Sequence, residues 1–96
     1  MDLLENEGYR LVLKALVAAK TEEECHALLD DLMTRKEILD IAQRMLVAKL
    51  LSEQTVYTKI VEETGASTAT ISRVNRCYLY GSGGYKTVLE RIKDNT

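Results

Sequence analysis

Apolar residues recur every three or four positions along much of this chain, which is the spacing of amphipathic helices. The first run predicts a helix that ends near Lys20, with Gly8 as a weak point in its first half. Its apolar positions are Leu4, Leu11, Val12, Ala15, Leu16 and Ala19. A second helix is expected to carry its apolar face on Cys25, Leu28, Leu29 and Leu32.

Two threonines mark helix starts. Thr21 is followed three residues later by Glu24, so its hydroxyl can accept from the third helical amide while the glutamate reaches back. Thr34 and Glu37 repeat this capping box and open a longer helix that runs to about Leu51.

The long third helix is apolar over well more than one face. Its apolar residues are Ile38, Leu39, Ile41, Ala42, Met45, Leu46, Val47, Ala48, Leu50 and Leu51. Such a helix must be buried on several sides, and a chain of this size has few other helices to cover it. The pattern therefore predicts a homodimer with this helix at its centre; the core helix of a monomer is the alternative.

Residues 57–76 follow the pattern of a helix-turn-helix. The predicted elements are a short helix capped by Thr55 and ending near Thr64, a turn at Gly65, Ala66 and Ser67, and a helix capped by Ser67 or Thr68 that runs to about Tyr80. Glycine suits the turn because it adopts the left-handed conformation at low cost.

The second of these helices has two unlike faces at about 100° per residue. Ile71, Val74 and Tyr78 share one face, which should pack on Ile60 and Val61. The other face is small and polar, with two arginines one turn apart, as a helix in a major groove requires. The predicted DNA contacts are Ser67, Thr68, Ala69, Thr70, Ser72, Arg73 and Arg76, with backbone contacts from Tyr57, Thr58 and Lys59 in the preceding helix.

The whole chain is expected to be one all-α domain of six helices. Its 96 residues are 46% apolar and include no proline. Three glycines in residues 81–84 break the chain before a last helix with apolar positions Tyr85, Val88, Leu89 and Ile92. The parts of this domain at residues 1–96 are the N-terminal helices and dimerisation core at 1–53, the helix-turn-helix at 55–80 and the C-terminal helix at 85–94.

Charge is distributed unevenly along the chain. The formal net charge is −2 overall, but residues 1–40 carry −5, residues 41–54 carry +1 and residues 55–96 carry +2. A phosphate backbone meets the local charge, so the mildly basic half is compatible with nucleic acid. The modest excess predicts weak, salt-sensitive binding by one copy.

Other chemistry finds little support. Two cysteines and one histidine lack zinc-ligand spacing, so no metal or cofactor is expected. Cys25 and His26 are neighbours on a helix and diverge, and no other nucleophile, metal cluster or phosphate loop argues for an enzyme. The N-terminus lacks a signal peptide and no apolar stretch reaches the ~20 residues of a membrane span, so we expect a cytoplasmic protein.

The stretch IAQRMLVAKLLSEQTVYTKIVEETGASTATISRVNR at residues 41–76 resembles the Trp-repressor superfamily. The run TGASTATISRVNRC and the tail GGYKTVLERI are similar to its YerC/YecD branch of small bacterial proteins. The resemblance covers nearly the whole chain. It implies an intertwined homodimer with two helix-turn-helix heads that read half-sites about one duplex turn apart.

The same resemblance argues against tryptophan as an effector. Tryptophan-sensing members hold the amino acid with two arginines, and Arg73 matches the second. The first falls at Gln43, with Arg44 about 100° further round the helix. Val74 stands where a glycine makes room for the indole, and Cys77 where a serine helps to bind the amino group. A candidate pocket at Gln43, Arg44, Arg73 and Cys77 would take another small effector, or none.

Two functions from different classes follow. The first is a sequence-specific transcriptional regulator that binds double-stranded DNA. The second is a dimeric helical scaffold whose helix-turn-helix binds protein, which the net acidity favours slightly. Salt separates the two because DNA binding weakens steeply as salt rises.

Overall fold

A computed structural model describes residues 2–94 as helices joined by short turns, with no strand in that range. A short 3₁₀ turn at Leu3–Glu5 precedes six helices: α1 (Glu7–Ala18), α2 (Glu22–Leu32), α3 (Arg35–Ser52), α4 (Tyr57–Thr64), α5 (Thr68–Tyr80) and α6 (Gly84–Asp94). The all-α, six-helix prediction is confirmed. No helix in the described residues is long and apolar enough to cross a membrane.

The first helix begins later than the apolar pattern predicted. Asn6 caps α1, since its Oδ1 accepts from the amide of Tyr9 at 2.9 Å. The chain before Asn6 forms the 3₁₀ turn, so Leu4 lies outside α1 and Gly8 lies in its first turn. An asparagine cap satisfies an otherwise unpaired helical amide. The cap residue, and not the apolar spacing, therefore marks where α1 begins.

Both predicted capping signals are confirmed. Thr21 Oγ1 accepts from the amide of Glu24 at 3.1 Å, and Glu24 Oε1 reaches back to the amide of Lys20 at 2.8 Å. At the start of α3, Thr34 Oγ1 accepts from Glu37 at 3.2 Å and Glu37 Oε1 accepts from Thr34 at 2.8 Å. Each pair satisfies amides that a helix start leaves without an internal partner.

The prediction that Thr55 caps α4 is wrong, because Thr55 completes the end of α3. Gln54 has a left-handed backbone conformation, with φ 61°, and its backbone amide donates to the carbonyl of Leu51 at 3.0 Å. The Thr55 amide donates to the carbonyl of Leu50, also at 3.0 Å. These two bonds form a Schellman motif. The N-cap of α4 is Val56, whose side chain makes no cap bond.

The chain forms two compact units, one ending at Ile38 and one beginning at Leu39. In the first unit no described residue is buried, and Leu11 and Val17 of α1 are largely exposed. The second unit has a core of Val47, Ala48, Leu50, Ile60, Ala66, Ile71 and Val74. The apolar α3 is therefore buried on one side of its second half, while Leu39 and Leu46 remain exposed in the single chain.

Candidate nucleic-acid interface

The helices α4 and α5 pack as a helix-turn-helix around two isoleucines. Ile60 of α4 and Ile71 of α5 are fully buried, with Val74 one turn further along α5. The predicted partner Val61 keeps 37% of its surface exposed, so the contact is made mainly by Ile60. Tyr85 and Leu89 of α6 pack against the same core. Ile71 and Val74 of the predicted apolar face of α5 are thus buried inside the unit, while Tyr78 of that face is half-buried.

The turn between α4 and α5 is closed by local hydrogen bonds. Gly65 takes the predicted left-handed conformation with φ 71°, and its amide donates to Val61 at 2.9 Å. The hydroxyl of Thr64 donates to the carbonyl of Ile60 at 2.7 Å and accepts from the amide of Ala66 at 3.1 Å. Ala66 is buried, and its backbone amide is paired with the Thr64 hydroxyl, so this buried residue leaves no unpaired amide.

A bond from α3 also reaches this turn. Gln43 donates through Nε2 to the carbonyl of Thr64 at 3.2 Å, and the bond is partly buried. Thr64 is the last residue of α4, where carbonyls lack a partner within the helix. The amide of Gln43 therefore serves the helix-turn-helix itself.

The face of α5 opposite the core is open to solvent. Thr68, Ala69, Ser72, Arg73 and Arg76 are all exposed, as the helical pattern predicted. Ser67 caps α5: its Oγ accepts from the Thr70 amide at 3.1 Å and donates to Thr70 Oγ1 at 3.0 Å. The two hydroxyls of Ser67 and Thr70 thus order the helix start, next to the small residues that follow.

The start of α4 borders this surface through three exposed residues, Tyr57, Thr58 and Lys59. Lys59 lies 4.0 Å from Glu63, but both side chains are well exposed, so the pair is weak. Asn75 of α5 donates through Nδ2 to the phenol oxygen of Tyr57 at 3.3 Å. Sequence reasoning missed Asn75, because it flanks the apolar face and no spacing rule links it to residue 57.

An open cleft of about 370 Å³ lies beside α5. It brings together all four residues of the candidate pocket, Gln43, Arg44, Arg73 and Cys77. Arg44 reaches the cleft despite its offset around α3. Val74, which was expected at the indole position of this pocket, also lines the cleft, and the lining residues that were not expected there are Asp40, Thr70 and Tyr85. Tyr85 could have been suspected only from the short glycine break that returns α6 towards α5.

The cleft has no arrangement that favours a metal. Within residues 2–94, no three His, Cys, Asp or Glu side chains are grouped to hold one. Cys25 and Cys77 are free thiols. The groups that converge on the cleft are two guanidiniums, amide and hydroxyl groups, one acid and an aromatic ring, which are groups that hydrogen-bond and stack with organic ligands.

Known proteins resemble the chain over nearly its full length. The Bacillus subtilis (strain 168) protein YerC, whose function is uncharacterised, is 45% identical over 94 residues, which are 98% of this chain and 90% of YerC. A crystal structure of a TrpR-like protein from Eubacterium eligens ATCC 27750 has a TM-score of 0.91 at 42% identity, covering 97% of this chain and 96% of that one.

A second solved structure agrees. A protein from Staphylococcus aureus, described as a candidate Trp repressor, has a TM-score of 0.88 at 36% identity, covering 97% of this chain and 95% of its own. The family described as Trp repressor protein matches residues 7–93, a range that holds all six helices except the last residue of α6. By sequence and by fold, the chain belongs to the Trp repressor family.

Proposed function

We propose that this chain is a sequence-specific transcriptional regulator that binds double-stranded DNA as a homodimer and does not respond to tryptophan. The observation that carries the proposal is the division of α5 into two faces. Ile71 and Val74 are buried in the core. Ser72, Arg73 and Arg76 are exposed to solvent. A recognition helix needs such a division, since one face anchors it and the other reads base edges.

Charge and exposure support a role at DNA. The stretch around the helix-turn-helix is the basic part of an acidic chain. Small side chains at Thr68 and Ala69 allow close approach of the α5 N-terminus, whose free amides attract phosphate oxygens. A bacterial chromosome lies in the cytoplasm, so a regulator of this kind acts there.

The homodimer is supported by apolar surface that a single chain leaves uncovered. Leu11, Val17, Leu32, Leu39 and Leu46 are all more than 40% exposed. A small domain rarely leaves so much aliphatic surface in water unless a partner covers it. A second copy would also supply a second α5, which the modest basic charge of one copy needs in order to bind tightly.

Selection of binding sites from random duplex DNA tests the proposal directly. We expect a palindrome whose half-sites are about one duplex turn apart, because a twofold dimer presents two recognition helices with that period. Affinity for the selected duplex should fall steeply between about 50 and 200 mM salt. Failure to enrich any sequence, with affinity independent of salt, would favour the protein-interaction scaffold.

A further inference from the structure

Gln43 lies near the middle of α3, yet its side chain acts on the helix-turn-helix. Its hydrogen bond to the carbonyl of Thr64 joins residues 21 positions apart. The carbonyl belongs to the last turn of α4, which the helix cannot satisfy internally. A donor from α3 is therefore chemically suited to this place, and its partial burial shields the bond from water.

The other bonds of the turn are local. The Thr64 hydroxyl donates to the carbonyl of Ile60 and accepts from the amide of Ala66, and the Gly65 amide donates to the carbonyl of Val61. All of these partners lie between residues 60 and 66, so the bonds shape the turn without tying it to another helix. Apolar packing against Val47 and Leu50 holds the turn near α3, but such packing is not directional. Gln43 adds a directional bond.

This hydrogen bond between Gln43 and Thr64, the tie, lies close to the start of α5. Only Gly65 and Ala66 separate Thr64 from the cap residue Ser67, and the cap fixes the first turn of α5. A displacement of Thr64 therefore also displaces the first turn of α5, the recognition helix. We propose that Gln43 is a positioning residue that ties the helix-turn-helix to α3 in the orientation that reads DNA. The DNA part of this inference rests on the proposed function.

Three variants test the tie. Gln43→Met keeps the length of the side chain but cannot donate, and Gln43→Glu places an acceptor against the carbonyl. Ser52→Ala is the matched control, because it removes a side-chain bond to a carbonyl that stays within α3. Should Gln43→Met lose helical circular dichroism, Gln43→Asn shortens the donor by one methylene and takes its place.

Two measurements are needed. The first is amide hydrogen exchange of the free protein, which measures how strongly the hydrogen bond between Gln43 and Thr64 stabilises the turn. We expect Gln43→Met to speed exchange at Gly65 and Ala66 by about tenfold, with α6 unchanged, and Gln43→Glu to speed it more. The second measurement is the ratio of affinities for the selected duplex and a scrambled duplex. It should fall by about tenfold in Gln43→Met and stay constant in Ser52→Ala.

The outcomes are separable. Unchanged exchange at Gly65 and Ala66 overturns the tie. Faster exchange with an unchanged affinity ratio overturns the positioning role in DNA reading. If the unaltered protein binds no duplex, the proposed function fails and the DNA part of the inference falls with it, while the exchange rates still decide the tie.

Discussion

Asn75 of α5 donates a hydrogen bond to the phenol oxygen of Tyr57, the first residue of α4, at 3.3 Å. The bond joins the two helices of the helix-turn-helix at the edge of its exposed face. A phenol that accepts one hydrogen bond keeps its own O–H for another partner. Tyr57 is 38% exposed, so in the proposed DNA complex that proton is open to a phosphate oxygen. Asn75 thus orients a candidate backbone contact.

Removing either partner should weaken DNA binding without changing specificity. Tyr57→Phe loses the phosphate contact, and Asn75→Ala loses its orientation, so each should cost about 1.5 kcal/mol on selected and scrambled duplexes alike. Fluorescence anisotropy at fixed salt measures both. The double variant should lose little more than Tyr57→Phe alone; fully additive losses would contradict a shared contact.

The two arginines of α5 should determine recognition of the selected site. Both side chains are exposed, so Arg73→Ala and Arg76→Ala should leave the helical circular dichroism intact. Each is expected to cost about 1–3 kcal/mol on the selected duplex, and together they should abolish specific binding. Arg10→Ala on α1 makes the same change in charge and is the control. An unchanged gel shift in the double variant would defeat the assignment.

Alanine substitutions at Gly65 and Gly84 test whether the turn between α4 and α5 requires a glycine, with Gly84 as the matched control. An added Cβ meets nothing within 4 Å at either glycine, but Gly65 has φ 71° and Gly84 is helical. Gly65→Ala should lower the free energy of unfolding by about 1–2 kcal/mol through left-handed strain. Gly84→Ala should raise it by about 0.4–1 kcal/mol by reducing the entropy of the unfolded chain. Urea unfolding checks both, and equal effects would show that backbone strain is not the cause.

A charge on the exposed face of α1 should weaken the proposed self-association. Val17 is 85% exposed in the single chain, and burying a carboxylate there without a partner is costly. Val17→Glu should therefore raise the dimer dissociation constant by about tenfold or more, as measured by analytical ultracentrifugation. Val56→Glu, at a 66% exposed position before α4, is the control. A dimer that tolerates Val17→Glu places the interface elsewhere.

Tryptophan should have no effect on this protein. Val74 is buried in the core while it lines the cleft, and the Gln43 amide is bonded to Thr64. The Val74 side chain occupies space that a smaller residue would leave to the indole ring, and the Gln43 donor that is bonded to Thr64 is not open to the carboxylate of tryptophan. A ligand at 100 times its dissociation constant would stabilise the fold by about 2.7 kcal/mol. Calorimetry with millimolar tryptophan should show no rise in Tm, and a rise would restore the amino acid as an effector.

Sequence signals worked where the physics is local. Thr21 and Thr34 cap helices as predicted, because a hydroxyl at the N-cap position lies within hydrogen-bond reach of the amide three residues ahead. Gly65 turns as predicted for a similar reason, since left-handed backbone strongly favours glycine. The apolar spacing of Ile60 and Ile71 located the helix-turn-helix because both must reach one core.

What the sequence missed depends on tertiary contacts. The left-handed residue that ends α3 is Gln54, a residue type that gives no turn signal. The bond between Asn75 and Tyr57 joins helices whose relative placement no periodicity describes. Gln43 was expected to line an effector pocket; it does line the cleft, but its amide is bonded to Thr64. Side chains with several possible partners are assigned only by the fold.

The left-handed Gln54 also bears on how the protein could choose between DNA sites. Its Schellman motif makes the joint between α3 and α4 a hydrogen-bonded turn and not a linker. Those bonds hold the chain as far as the Thr55 amide against the end of α3, so they restrict the rotation of α4 about that end. In the proposed homodimer, this restriction limits how far the separation of the two recognition helices can change. A site with one base pair inserted between its half-sites should bind more weakly than the selected site, because the hydrogen-bonded joint restricts the movement of α4 and α5 that would be needed to follow the inserted pair.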